Sequence, residues 1–283
     1  ALQKYGQPVY VRHEIVHNKQ VVEDLKDQGA RFVEEIDEIP DGAVTIFSAH
    51  GVPRSVEVDA ARRGLPIIDA TCPLVTKVHK EGRRYASAGY DVVLIGHPNH
   101  TEVEGTMGQI EGTVLLVSGV KDVAKLEPHD PERLAYVTQT TLSVDDTRDI
   151  IAALRERFPA IVGPDVKDIC YATQNRQTAV RRMAARVELI LVVGSHNSSN
   201  SNRLCEIGRG MGKTSYLIED ASALEPEWLT GVEAIGVTAG ASAPEHLVQD
   251  LVTRLAELRP IDVELLDGIE ENVHFKLPEE LLA

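Results

Sequence analysis

The sequence predicts an α/β fold: a trefoil of three similar α/β domains in a pseudo-threefold arrangement around a central cavity. Short apolar runs alternate with amphipathic helical segments along the chain, which is typical of parallel sheets covered by helices. The same short motifs also recur at a spacing of about 98 residues, which indicates internal repetition. Ligands of such sheets bind beyond the carboxyl ends of the strands, so the polar loops found there are the candidate site.

Each predicted strand is a short apolar run bounded by polar or turn-forming residues. The predicted strands are Val9–Ile15, Val44–Ala49, Pro66–Ala70, Asp91–Ile95, Val114–Ser118, Leu134–Gln139, Leu189–Val193, Ser215–Ile218 and Ala234–Thr238. The predicted helices between them often open on a capping residue or a proline, as at Ser143 and Pro73. These helices are Asn18–Asp27, Pro73–Ala88, Ser143–Phe158, Gln174–Arg186, Ser201–Met211 and Pro244–Leu258.

The repeat defines the predicted domains. Cys72 and Cys170 are 98 residues apart, and so are Gly96 and Gly194, each of which ends an apolar run before a polar loop. An earlier unit fits the same plan in part, with VRHEIVHN and FSAHG in the places of the two polar loops. We therefore predict units at residues 1–72, 73–169 and 170–260, followed by a tail at 261–283 that packs back on the first unit.

Composition excludes several classes of protein. The 283-residue chain carries a net charge of −15, which argues against nucleic acid or an anionic membrane as a partner. No apolar run is long enough to span a bilayer. Three cysteines, an odd number, suit a reducing compartment better than a disulfide framework. We expect a cytoplasmic protein.

The repeated loops gather a set of hydrogen-bond donors, thiols and one carboxyl. They are His17, His50, Cys72, His100, Glu102, Thr140, Thr141, Cys170, Ser198, Ser199, Asn200 and Ser242. Hydroxyls, amides and helix amino termini bind oxyanions, so the stretch GSHNSSNSNR indicates a cradle for phosphate or diphosphate. The alternative for this stretch is an ordinary polar loop with a capping Ser or Asn.

For the thiols and for Glu102, the sequence allows both a functional and a purely structural role. Cys72 and Cys170 occupy equivalent positions and suit a shared iron–sulfur or zinc centre, although a single buried cysteine is more often inert. Cys205 has no counterpart, since Met107 takes its place in the other unit, and we expect it to be inert. Glu102 lies two residues beyond His100, where it either delivers a proton through Thr140 or Thr141 or merely favours a helix start.

Eight blocks together resemble one family. VRHEIVHN, FSAHGVP, DATCPLVTKVH, GHPNHTEVEGTMGQ, TQTTLSVDDT, DICYATQNRQ, VVGSHNSSNSNRL and VTAGASAP span nearly the whole chain and are similar to the LytB/IspH family of hydroxymethylbutenyl diphosphate reductases. The resemblance implies reductive removal of a hydroxyl from an allylic diphosphate, the last step of the non-mevalonate isoprenoid pathway. It also implies a [4Fe-4S] cluster held by three cysteines, and two electrons from an external donor such as ferredoxin or flavodoxin.

The same resemblance implies a role for each matching residue. Cys72 and Cys170 match two cluster ligands, and Glu102 matches the proton donor with Thr140 as its relay. The diphosphate pocket is matched by His17, His50, His100, Ser198, Ser199, Asn200 and Ser242. Asn18, Gln139, Thr141 and Thr173 match positions near the substrate, whereas His196 is given no role.

The first unit lacks the cysteine that opens the other two. The family has such a cysteine upstream, so we expect the printed sequence to lack an N-terminal segment with the third ligand, about 11 to 18 residues before Ala1 by the spacing of the repeat. Without it we expect no stable cluster and no activity. Two other functions stay open at this stage: a non-redox phosphatase or phosphate-ester binding protein, and a non-catalytic regulatory or assembly module.

Overall fold

The computed structural model describes residues 1–269 and 271–282, and it contains three parallel sheets. The strands are β1 (Val9–Arg12), β2 (Ala30–Val33), β3 (Thr45–Phe47), β4 (Ile67–Asp69), β5 (Asp91–Ile95), β6 (Val114–Val117), β7 (Leu134–Thr138), β8 (Leu189–Val193), β9 (Thr214–Ile218) and β10 (Ile235–Ala239). The sheet orders are β2-β1-β3-β4, β6-β5-β7 and β10-β8-β9. The predicted α/β class is confirmed.

Helices connect the strands of each sheet, as parallel pairing requires. They are α1 (Leu2–Tyr5), α2 (Lys19–Asp27), α3 (Arg54–Arg62), α4 (Pro73–Ser87), α5 (Thr101–Gln109), α6 (Val120–Val123), α7 (Val144–Arg157), α8 (Tyr171–Ala184), α9 (Ser199–Gly210), α10 (Glu245–Leu258) and α11 (Glu279–Leu282). Among the described residues, no helix is both long and apolar enough to cross a membrane.

The two three-stranded sheets share one topology. In the second sheet β5 lies between β6 and β7, and in the third β8 lies between β9 and β10. The central strands β5 and β8 begin 98 residues apart, so the repeat read from the sequence corresponds to two sheets with the same strand order. Each central strand is almost wholly buried, because helices cover both faces of the sheet.

The structure differs from the predicted elements at the end of the first strand, at the start of one helix and at one strand that was not predicted. The first strand was predicted to reach Ile15, but β1 ends at Arg12 because His13 adopts a left-handed φ of 58° that turns the chain. The helix predicted from Gln174 begins at Tyr171, directly after Cys170. The short edge strand β2 was not predicted at all.

Close contacts divide the chain into two compact units. The first contains residues 1–16, 24–170 and the described residues from His274 onward, and therefore holds two of the sheets. The second contains residues 17–23 and 171–273 and holds the sheet of β8, β9 and β10. In the first unit Lys4 and Tyr5 both donate to the carbonyl of Glu280 in the tail. The three-domain boundaries and the trefoil arrangement stay predictions.

Each unit has its own apolar core. In the first, Tyr136 and Leu154 are fully buried beside β5 and β7, and a smaller cluster around Phe47 supports the four-stranded sheet. In the second, Leu191 and Leu251 pack one face of the sheet, while Val192 and Leu204 pack the other. These cores fix the strands, and thereby the loops that leave their carboxyl ends.

Candidate active site

The first unit places three predicted polar loops at strand ends. His50 follows β3, His100 follows β5, and Thr140 follows β7. Parallel pairing of β5 with β7 brings the second and third of these loops to one edge of the same sheet. Direct hydrogen bonds join these two loops, whereas the convergence of all the repeated loops on one pocket stays a prediction.

Glu102 is the central group of this set. It lies in the first turn of α5 and is only 2% exposed. The backbone N–H of Thr140 donates to Glu102 Oε1 at 2.6 Å, and the Thr140 hydroxyl donates to Oε2 at 2.9 Å. Burial raises the pKa of Glu102 to about 7, although the two hydrogen bonds from Thr140 oppose that rise. The carboxyl is therefore poised to hold and release a proton near neutral pH.

His100 caps the helix that carries Glu102. Its Nδ1 accepts the N–H of Glu102 at 3.1 Å, so the proton of the neutral ring lies on Nε2. The ring of His50 meets that of His100 edge-on, with centroids 6.0 Å apart. The loop of His50 turns at Gly51, whose φ of 77° suits glycine and where a Cβ would lie 2.6 Å from the His79 ring.

Gln139 links the loop after β7 to the loop after β5. Its Oε1 accepts the N–H of His97 at 3.0 Å, and its Nε2 donates to the Thr141 hydroxyl at 2.9 Å. Of the two threonines predicted as candidate relays, Thr140 contacts Glu102 and Thr141 contacts Gln139. The contact of Thr140 with Glu102 agrees with the relay position that the family resemblance implied for Thr140.

Two partly exposed thiols lie close to this set. Cys72 is the N-cap of α4, and Cys170 directly precedes α8. The Cys170 N–H donates to the carbonyl of Thr140 at 2.9 Å, which joins the thiol segment to the Glu102 network. Burial raises the pKa of Cys72, the N–H groups at the helix start oppose this, and the charges of Cys170 and Glu102 add smaller rises.

These thiols fit two ligand positions of a soft metal centre. They are unbridged and partly accessible, and Cys170 is close enough to contribute to the raised pKa of Cys72. Within residues 1–269 and 271–282, no group of three or more His, Cys, Asp or Glu side chains could hold a metal ion. The assignment of Cys72 and Cys170 as two cluster ligands, and of a third cysteine beside them, stays a prediction.

Sequence reasoning missed an ion pair that joins the two thiol segments. Lys77, five residues after Cys72, donates to Asp168, two residues before Cys170, with a distance of 3.0 Å. The Asp168 side chain is fully buried. The only signal in the sequence was the aspartate shortly before the cysteine in both DATC and DIC.

The second unit holds five residues of the predicted diphosphate pocket. We call them, together with the neighbouring Asn18, the oxyanion cradle: His17, Asn18, Ser198, Ser199, Asn200 and Ser242. Ser198 is the N-cap of α9, and its hydroxyl oxygen accepts the N–H of Ser201. Asn200 is 3% exposed, yet neither its Oδ1 nor its Nδ2 has a hydrogen-bond partner among the described residues. A buried amide with unmade hydrogen bonds is costly, so this group indicates a position for a polar ligand.

The His17 loop is held against the other cradle loops. Ser242 donates from its hydroxyl to the carbonyl of His17 at 3.0 Å. Ser195 accepts the N–H of Lys19 at 2.9 Å, and Asn18 caps α2 by accepting the N–H of Val21. Parallel pairing of β8 with β10 places the loops of Ser195 and Ser242 at one edge of the sheet.

Three further residues of the second unit were considered in the sequence analysis, and they differ in burial. Thr173 is buried in α8, and His196 is exposed, in keeping with the absence of an assigned role. Cys205 is 2% exposed among apolar side chains, and burial raises the pKa of its thiol to about 12. A thiol in this environment is a poor nucleophile and a poor metal ligand.

The chain is similar to a family of reductases over nearly all of its length. The model of the family described as LytB protein matches residues 1–256. The 4-hydroxy-3-methylbut-2-enyl diphosphate reductase 1 of Rhodopseudomonas palustris is 63% identical over 99% of this chain and 92% of its own length. The reductase 2 of Bradyrhizobium diazoefficiens is 61% identical, over 100% of this chain and 92% of its own.

Solved structures give the same result. The E-1-hydroxy-2-methyl-but-2-enyl-4-diphosphate reductase of Plasmodium falciparum matches with a TM-score of 0.95 at 39% identity, over 99% of this chain and 89% of its own. A second reductase, described as the terminal enzyme of the non-mevalonate pathway, has a TM-score of 0.63 at 32% identity and covers 90% of each chain. The resemblance seen in the eight sequence blocks is confirmed, and the chain belongs to the LytB protein family.

Proposed function

We propose that this chain reduces 4-hydroxy-3-methylbut-2-enyl diphosphate to isopentenyl and dimethylallyl diphosphate. The reaction takes two electrons and two protons, breaks the allylic carbon–oxygen bond and releases one water. The observation that carries the proposal is the buried Glu102–Thr140 pair in a chain whose relatives bear the name of this reductase. By family resemblance we propose an iron–sulfur oxidoreduction. A similar solved reductase is described as the terminal enzyme of the non-mevalonate pathway, and we propose the same place for this reaction.

Glu102 is the proposed proton source. With a pKa raised to about 7 by burial, its carboxyl is protonated in a large share of molecules at neutral pH. The Thr140 hydroxyl contacts Glu102 Oε2, so it can pass its own proton to the substrate hydroxyl and take that of Glu102 in return. Protonation lets water leave in place of hydroxide, which is a much poorer leaving group.

The oxyanion cradle is the proposed diphosphate site. Its hydroxyls and the amide of Asn200 are neutral donors, and the amino end of α9 adds backbone N–H groups. A chain with a net charge of −15 binds an anion through such local dipoles and not through its overall charge. Tight binding of this non-reacting part of the substrate contributes energy for orienting its reacting end. We extend the same assignment to His50, His100 and Thr141 by family resemblance.

The proposed cofactor is a [4Fe-4S] cluster. Cys72 and Cys170 would hold it, with a third thiolate that stays a prediction, and when bound it would supply the electrons and a Lewis-acidic iron. The sequence contains neither a GxGxxG dinucleotide motif nor a flavin motif, so the electrons come from an external carrier such as ferredoxin or flavodoxin. We propose a cytoplasmic location, in keeping with the odd number of cysteines.

An anaerobic assay tests this function. The assay uses the chain together with the N-terminal segment expected to carry the third cysteine, because the printed residues alone are expected to be inactive. This protein is reconstituted with iron and sulfide and supplied with the allylic diphosphate and with dithionite-reduced methyl viologen, and the two C5 diphosphate products are measured. Products together with a visible iron–sulfur absorption band support the proposal. Release of inorganic phosphate without that band would support the phosphatase alternative instead, which the reductase names of the relatives do not favour.

A further inference from the structure

The first unit carries an open groove along α4, with a volume of about 670 Å³. We call it the α4 groove. It is lined by Thr71, Pro73, Thr76, Lys77, Lys80, Glu81 and Arg84. None of these residues has a role in the reaction proposed above, and the sequence analysis assigned nothing to this surface.

The charge of the groove is opposite to that of the chain. Lys77, Lys80 and Arg84 recur at intervals of three and four residues, so they lie on one face of the helix. Glu81 is the single acidic residue of the lining. The groove thus carries a positive balance on a protein whose net charge is −15. A basic patch on an otherwise acidic protein creates a local positive potential that attracts an acidic partner.

The three cationic side chains of the groove differ in their exposure and in their ion pairs. Lys80 is exposed and makes no ion pair with any residue in the described part of the chain. Arg84 pairs with Glu81 at 3.3 Å, but the arginine side chain is 69% exposed, so the pair is weak and readily exchanged. Lys77 is held by the buried Asp168 and is still 48% exposed. The groove therefore combines one fixed cation with two that are available to a partner.

The position of the groove connects it to the thiols. Thr71 and Pro73, which line one end, are the two neighbours of Cys72 in the chain. Lys77 also donates to the carbonyl of Lys167, three residues before Cys170. Both segments that carry the proposed cluster ligands therefore border this basic surface, and Lys167 is itself exposed there.

We propose that the α4 groove docks a small acidic electron-carrier protein, which delivers its electrons beside Cys72. The inference rests on the proposed reductase function, because a chain that reduces no substrate needs no electron carrier. Two reduced carriers are each oxidised by one electron per turnover. The substrate accepts the two electrons and two protons and loses its hydroxyl as water.

A protein fits this surface better than a small anion does. A small-anion site needs several buried donors that converge on one point, whereas Lys80 and Arg84 are exposed and spread along the helix. Exposed charges of one sign act mainly on the rate of encounter and the orientation of a large partner. The effect of such charges falls with ionic strength, which gives the proposal a second measurable property.

The test uses a plant-type [2Fe-2S] ferredoxin of net negative charge as the probe. Variants K80E, R84E and the double variant are compared with K121E, which makes the same charge change at an exposed lysine of α6 outside the groove. For each protein we measure the dissociation constant for ferredoxin, ferredoxin-dependent turnover, and turnover with reduced methyl viologen. Each constant is measured at low and at high salt.

We expect K80E/R84E to raise the dissociation constant and the KM for ferredoxin about 10-fold or more at low salt. The difference from wild type should shrink at high salt, and viologen turnover and the K121E control should stay near wild type. Equal ferredoxin affinity of K80E/R84E and K121E would overturn the docking proposal even if the enzyme is active. Absence of viologen turnover in a wild-type protein that includes the expected third cysteine would instead count against the reductase function, while the binding measurement would still decide the docking site.

Discussion

Glu102 and Asn200 occupy equivalent positions in the two sequence repeats, but the side chain of Glu102 is hydrogen-bonded and that of Asn200 is not. They are 98 residues apart, each in the first turn of a helix that follows a central strand, and each is almost fully buried. Glu102 receives two hydrogen bonds from Thr140. Asn200 has no partner among the described residues.

The residue opposite each side chain explains the difference. Val137-Thr138 and Val237-Thr238 align the last strands of the two sheets, so Thr140 corresponds to Gly240. A Cβ at Gly240 would lie 2.1 Å from the Ser201 hydroxyl and 3.5 Å from Asn200 Nδ2. Glycine therefore leaves Asn200 without an internal partner and open to a ligand. One scaffold thus yields an internally bonded acid in one unit and an unsatisfied binding group in the other.

Replacement of the acid has the largest expected effect. In Glu102→Gln the side chain keeps its size but loses the proton that Thr140 would pass on, so we expect turnover to fall on the order of 10²-fold or more. Iron content and affinity for diphosphate should stay near wild type. The control is Glu104→Gln, an exposed position of the same helix, which should keep full activity. A Glu102→Gln variant with a third of wild-type turnover would contradict the proton-donor role.

The same substitution should change how stability depends on pH. Glu102 has a pKa of about 7 in the folded chain against 4.5 when exposed, so the folded state holds its proton more tightly. The stabilising effect of that proton is present below pH 4.5 and is lost as pH rises to about 7. The free energy of unfolding of Glu102→Gln minus that of wild type should therefore rise by roughly 3 kcal/mol across this window. Denaturant titrations from pH 4 to pH 8 measure this difference, and a flat difference would contradict the raised pKa.

Substitution of the unsatisfied group should affect binding and leave stability intact. In Asn200→Ala the ligand loses a charge-assisted hydrogen bond, so we expect affinity for substrate and for inorganic diphosphate to fall by roughly 1–3 kcal/mol each. The folded protein should be as stable as wild type or more so, because a costly buried amide is removed. Calorimetric titration and denaturant unfolding separate the two effects, with the exposed Gln249→Ala as control. Unchanged diphosphate affinity would contradict the cradle assignment.

The repeat made much of this comparison predictable from the sequence. The central strands Asp91–Ile95 and Leu189–Val193 were predicted to the residue, because each is rich in β-branched residues and leucine and ends directly before a glycine. The edge strand β2 escaped prediction because its four residues, ARFV, lack such a run. The signature blocks identified the candidate residues, since most lie in loops whose position the strands determine.

The spacing and type of residues in the sequence could not predict which distant segments contact each other. Residue type and spacing alone do not distinguish Thr140 from Thr141 as the partner of Glu102, because the choice depends on how the loop after β7 turns. Only the family resemblance favoured Thr140. The burial of Asp168 and its pairing with Lys77, 91 residues away, also arise only when α4 packs in the fold. The same packing creates the α4 groove. In the sequence its lysines and arginine are indistinguishable from the charged residues of an ordinary solvent-exposed helix face.

The smallest expected effect concerns the thiol of Cys205. It takes the place of Met107 in the other repeat, is 2% exposed among apolar side chains, and has a pKa raised to about 12 by burial. We expect Cys205→Ala to bind the same amount of iron and sulfide as wild type after anaerobic reconstitution, with unfolding free energy lower by about 1 kcal/mol for the small cavity. Cys72→Ala is the matched control and should lose most of its iron, because that thiol is partly exposed at a helix start. Loss of iron in Cys205→Ala comparable to that in Cys72→Ala would show that the buried thiol takes part in metal binding. In that case the prediction that Cys205 is inert would be wrong.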